Sequence, residues 1–126
     1  ANVSLATMAL VHHFSQAGME RAEEALQIVM AAARRRLETE AANARTYLGA
    51  PAVADDPAQF ALVSDRERGI ITAWSHWYRE AVLSMEEHFE PGRIPSEARE
   101  ALEALIDDGV AELRRLEREA LSVLDR

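Results

Sequence analysis

The chain has 126 residues, no cysteine, and a formal charge of −8 from 14 basic and 22 acidic side chains. That length supports one core and not two, and basic residues scattered among acidic ones disfavour a phosphate-binding face for nucleic acid or anionic lipid. Without cysteine there is no disulfide framework, thiolate nucleophile or cysteine zinc site, and no run of about 18 apolar residues exists to span a membrane.

Helix one is predicted over about residues 3–48, which contain no proline and a single interior glycine, Gly18. It is either continuous or broken near Ser15 to Gly18. Its close is marked by Gly49-Ala50-Pro51, with Gly49 expected in the left-handed conformation. Placed at 100° per residue, Met8, Met19, Ala22, Leu26, Val29, Met30, Ala33, Leu37, Ala41, Ala44 and Leu48 form one stripe, thin because so much of it is alanine. Leu10, Val11 and Phe14 project off that stripe, so the first turns are apolar almost all round and call for a covering surface. The stretch up to Met19 is uncharged, yet it lacks a basic start and carries His12, His13, Ser15 and Gln16, so it does not read as a signal peptide. The cytoplasm is the expected compartment. Arg34-Arg35-Arg36 wraps around the helix and reads as a solvated stretch.

A connector over 49–56 leads to Asp56-Pro57, a capping residue followed by proline at the first helical position. Helix two is predicted over about 57–90, where Pro91-Gly92 stops it. It carries the bulkiest stripe: Phe60, Val63, Ile70, Ile71, Trp74, Trp77, Tyr78, Ala81, Val82, Met85 and Phe89. Trp74 and Tyr78 read as core, whereas Trp77 lies at the edge of the arc and is the better candidate for a partner contact. Glu67 falls inside the arc. A buried carboxylate needs a partner, for which Arg34 or Arg36 is available, but the preferred reading leaves Glu67 wet or paired at the surface. Glu86 and Glu87 beside His88 read as a solvated helix end and not as acid–base machinery.

Helix three is predicted over about 96–124. Leu102, Leu105, Leu113 and Leu116, with Ile106 and Gly109 on the same face, repeat in threes and fours like a coiled-coil seam. No catalytic residue emerges. None of the four histidines has Glu three residues before it, as a di-metal helical site requires, and phosphate loops, nucleophile elbows and H-E-x-x-H helices are absent. No metal or cofactor is therefore expected. The fold class is all-α: an elongated antiparallel bundle or hairpin of three long amphipathic helices, in one domain. With 24 alanines thinning its layers, such a chain is expected to self-associate or to take up a foreign apolar surface.

Residues 16–89 resemble the phasins, bacterial proteins that coat polyhydroxyalkanoate storage granules. The resemblance is carried by Glu20-Arg21-Ala22-Glu23-Glu24-Ala25-Leu26 opening a long Ala/Glu-rich amphipathic helix. Tyr47-Leu48-Gly49-Ala50 then leads to Asp56-Pro57-Ala58-Gln59-Phe60, which starts a second amphipathic helix. It implies a non-enzymatic, cytoplasmic protein at the granule surface that binds apolar polyester through its helices, self-associates and influences the polymer synthase. The candidate contact residues are Leu10, Val11, Phe14, Phe60, Ile70, Ile71, Trp74, Trp77, Tyr78, Met85 and Phe89. The last 31 residues depart from the family's Ala/Lys-rich or Gln-rich tails, being acidic and Leu-patterned. The alternative is a helical adaptor or scaffold that pairs with a partner protein's helix, or with a second copy, along the seam Leu102, Leu105, Leu113 and Leu116.

Overall fold

The computed structural model describes residues 5–88 and 96–125, with side chains described for 20–87 and 96–125. Among the described residues there is no strand, and three long helices carry the structure. Helix α1, Leu5–Gly49, is unbroken through Gly18. One interior glycine costs a helix only about 1 kcal/mol, and the Ala, Leu, Glu and Arg residues around it are strong helix formers. Gly49 does not take the expected left-handed conformation. The stop comes instead from Pro51, which holds Ala50 extended at φ −64°, ψ 132°.

The connector contains a helix of its own, α2, Pro51–Ala54, started by its proline. Asp56 then caps α3, Pro57–Leu83, its carboxylate accepting from the backbone N–H of Ala58 at 3.0 Å and of Gln59 at 3.3 Å. The α-helix ends earlier than the pattern predicts and tightens into a 3-10 segment, Ser84–His88. Helix α4, Ser96–Leu121, ends the same way, in Ser122–Leu124. A serine stands at both transitions. Ser84 Oγ donates to the Ala81 carbonyl at 2.7 Å, and Ser122 Oγ to that of Glu119 at 2.6 Å. Such local bonds compete with the i→i−4 ladder and favour the tighter turn.

Each long helix packs against the other two. Leu26 of α1 and Val82 of α3 meet beside Gly109 of α4, whereas at the far end Leu48 clusters with Phe60 and Leu124. Helices α1 and α4 therefore run in the same direction and α3 runs against both. The main core gathers Leu26, Leu37, Ile71, Val82, Ile106 and Leu113 with the small residues Ala22, Ala33, Ala41 and Ala120. A smaller cluster around Ala44, Leu48 and Leu124 closes the end nearest α2. Helix α1 begins 17 residues before Ala22, the first described buried position. No described helix is long and apolar enough to cross a membrane.

Ion pairs tie α4 to its neighbours. Arg79 of α3 donates to Ser75 Oγ at 2.7 Å and to Glu117 at 3.3 Å, and Arg34 of α1 reaches Glu112 at 3.3 Å. Within α4, Arg115 pairs with both Glu112 and Glu119. Hydrogen bonding from Arg115 is the main reason that the Glu112 carboxyl titrates below its ordinary 4.5, with the Arg115 and Arg34 charges adding to it.

Two predictions follow from this packing. A Cβ added at Gly109 would lie 2.9 Å from Leu26 Cδ1, while one at Gly69 meets nothing within 4 Å. Urea unfolding should therefore show G69A more stable by about 0.5–1 kcal/mol and G109V less stable by about 1–3 kcal/mol. Because the folded-state pKa of Glu112 is depressed, its pairing stabilises at neutral pH and is lost as pH falls through that lowered value. Both partners are well exposed, so the effect is small. E112Q should melt slightly below the parent chain at pH 7, and the two melting curves should converge in acid.

Candidate functional surface

Ile70, Ala73, Trp74 and Trp77 fall at i, i+3, i+4 and i+7 on α3 and so share one arc. The arc borders the groove where α3 meets α1, on the side away from α4. Trp74 is half-buried against the core, and Tyr78, one turn further, is buried. Trp77 has nowhere to go and remains 59 % exposed. The three rings hold one another: Trp74 stacks on Tyr78 at 6.1 Å between centroids, and Trp77 stands edge-on to Tyr78 at 5.1 Å and to Trp74 at 6.1 Å. Such contacts fix ring orientation beyond what area burial achieves. The outcome is a rigid aromatic ledge forming one side of an open cleft of about 700 Å³.

Helix α1 supplies the other side. Arg36 lays its guanidinium over the Trp74 ring, Cζ 4.2 Å from the centroid, and its nearest carboxylate, on Glu40, is 3.7 Å away. Two turns towards the start of α3, Leu62 is 65 % exposed. Between them Arg66 stands with Cζ 5.5 Å from the ring of the exposed Tyr47. Two guanidiniums thus sit beside aromatic rings along one apolar strip, a cation–π arrangement on both sides of the groove.

Several residues expected at a contact surface lie elsewhere. Ile71, Tyr78 and Met85 are core residues of this chain: Ile71 and Tyr78 lie on a second, inner arc that α3 turns towards α1 and α4, and Met85 lies in the 3-10 segment that follows it. Phe60 is half-buried against the cluster near α2. Leu10, Val11, Phe14, Phe89 and His88 are outside the residues whose side chains are described. The coiled-coil-like seam is occupied within the chain: Leu102, Leu113 and Leu116 are buried, and Leu105 packs half-buried against the same core. A partner helix could reach them only by displacing α1 or α3.

The arginine run divides three ways, since successive helical residues point about 100° apart. Arg34 pairs with Glu112, Arg36 stacks on Trp74, and Arg35 stays exposed, which corrects the reading of the run as merely solvated. Glu67 is neither wet nor paired with α1. It is 1 % exposed, and one oxygen accepts from Arg66, its own neighbour, at 3.3 Å, while Oε2 has no hydrogen-bond partner. Val63 and Ile71, one turn to either side, belong to different clusters. To those two clusters the neighbouring helices contribute small buried residues, Ala41 and Ala44 from α1 and Ala120 from α4. Pattern reading also missed the exposure of Leu62, Tyr47 and Ile28, for which the available signal was bulky residues lying off the inner stripes.

Among the described residues no group of three or more His, Cys, Asp or Glu side chains is placed to hold a metal ion. No protein family, curated protein or solved structure matches this chain.

Burying a carboxylate that is only half satisfied is costly, and an apolar replacement of similar volume removes that cost. E67M should raise the unfolding free energy by about 1–2 kcal/mol in urea titrations monitored by helicity. E67A should gain less, because it leaves a void.

Proposed function

We propose that this chain is a non-enzymatic, phasin-like protein that adsorbs to the apolar surface of polyester granules, with the α1–α3 face as its contact. The observation that carries the proposal is the strip of Leu62, Ile70, Trp74 and Trp77, exposed or half-exposed along one side of α3 and continuous with the cleft roofed by Arg36. An apolar strip of this kind, with aromatic anchors, is what an interfacial helix pair presents to an oily phase. The likeness of residues 16–89 to phasins supports the same reading, as do the acidic side chains exposed on α4, which would face the aqueous side of a coated particle.

The elongated bundle arrangement and self-association belong to this proposal too. A core thinned by alanine leaves stabilisation to be gained when neighbouring chains pack side by side on the same surface. The adaptor reading loses its principal support, since its seam residues are already in contact with α1 and α3.

Purified protein mixed with polyhydroxyalkanoate particles should sediment with them. Full burial of one large apolar side chain is worth about 1.5–3 kcal/mol, or tenfold and more in partition. W77E and I70E should each weaken binding by about that factor. L83E is the control: Leu83 is exposed but lies roughly 140° around the helix from Ile70 and roughly 120° from Trp77, and its variant should bind like the parent chain. Equal partition of all four proteins would rule out this face.

A further inference from the structure

The contact strip is not purely hydrocarbon, and its two exceptions are alike. Arg36 and Arg66 are set within it on opposite helices, each beside an aromatic ring. Each is also substantially exposed, 43 % and 60 % by side chain. A guanidinium lying over a ring has one face occupied and its N–H edges free, so its hydrogen-bonding capacity is directed sideways and outward. The carboxylates beside them use little of that capacity. Glu40 is 3.7 Å from Arg36, beyond a normal hydrogen bond, and Glu67 receives one bond from Arg66 and is itself turned into the core. Pressing this face onto a hydrocarbon would strip water from two cations and return nothing. An apolar surface studded with carbonyl oxygens would return acceptors at both positions.

Resting on the proposed granule-binding reading, we infer that Arg36 and Arg66 recognise ester carbonyl oxygens, making the α1–α3 face selective for an oxygen-bearing apolar surface over plain hydrocarbon. The aromatic ledge supplies adhesion common to both kinds of surface. The two guanidiniums supply the difference between them, donating hydrogen bonds to carbonyls that present both lone pairs at the polymer boundary. Specificity then resides in what a hydrocarbon cannot satisfy, since unpaired donors at a desolvated contact are penalised more than paired ones are rewarded.

The test compares adsorption to polyhydroxyalkanoate particles with adsorption to hexadecane droplets of matched size, using the full chain, R36L/R66L, and the charge-matched control R45L/R68L. Arg45 and Arg68 are exposed and lie roughly 180° from Arg36 and 160° from Ile70 on their respective helices. All three proteins should keep the parental helicity; R36L/R66L should melt lower, because losing Arg66 leaves the buried Glu67 carboxylate without its hydrogen bond, so adsorption is compared below the onset of its unfolding. The parent chain and R45L/R68L should favour polyester by about tenfold. R36L/R66L should lose that preference, chiefly by binding hexadecane better. Equal adsorption of the parent chain to both surfaces, or a preference that survives in R36L/R66L, overturns the inference while leaving granule binding intact. No adsorption to either surface removes the reading beneath it as well. A dimer that W77E dissociates in sedimentation velocity would mean that a second copy occupies the face, and would also overturn it.

Discussion

How closely two helices approach is set by the side chains between their axes, and here many of those side chains are small. Ala22, Ala33, Ala41 and Ala44 of α1 and Gly109 and Ala120 of α4 are all buried. Larger residues fill the space that remains, with Leu37, Ile71, Ile106 and Leu113 almost wholly enclosed. Close approach gives good van der Waals contact per residue but little apolar area in total. Trp77, Leu62 and Ile28 are left on the outside, and Trp74 is only half-covered. The exposed aromatic ledge thus borders a thin core, with Tyr78 belonging to both.

The polar contacts are distributed in a way that complements this. Helix α4 is tied to α3 through Arg79 and Glu117 and to α1 through Arg34 and Glu112. Helices α1 and α3 share core residues and the stacking of arginine on aromatic rings. The face carrying the ledge therefore relies on packing, while the acidic helix behind it relies in part on charge. Solvent-exposed pairs contribute modestly and are screened by salt, so salt loosens the ties of α4 more than it does the packing of the ledge.

Much of the fold was legible in the sequence because its signals are local. Asp56-Pro57 marks the start of α3, and the residue before Pro51 marks the end of α1, each for a reason contained within two or three residues. The inner stripes follow from helical periodicity alone. What escaped depends on neighbours remote in the chain. Glu67 reads as wet until the helices pack together and enclose it, and the leucine seam of α4 reads as vacant until α1 and α3 are found there. On the candidate surface, Trp77 stood out at the margin of its stripe. Leu62 and Tyr47 did not, because a lone bulky residue off a stripe is ordinary and gains meaning only beside others of its kind.

Gly109 bears on more than local fit. A leucine repeat in threes and fours is nearly self-similar, so a helix like α4 can in principle slide by one turn against its partners and still bury leucines. The notch at Gly109 breaks that degeneracy. Leu26 and Val82 converge on the one position of α4 that has no side chain, and a slip by four residues would present them with Leu105 or Leu113 instead. One absent methyl group acts as an index pin, holding the helix at a single setting against a pattern that would otherwise permit several.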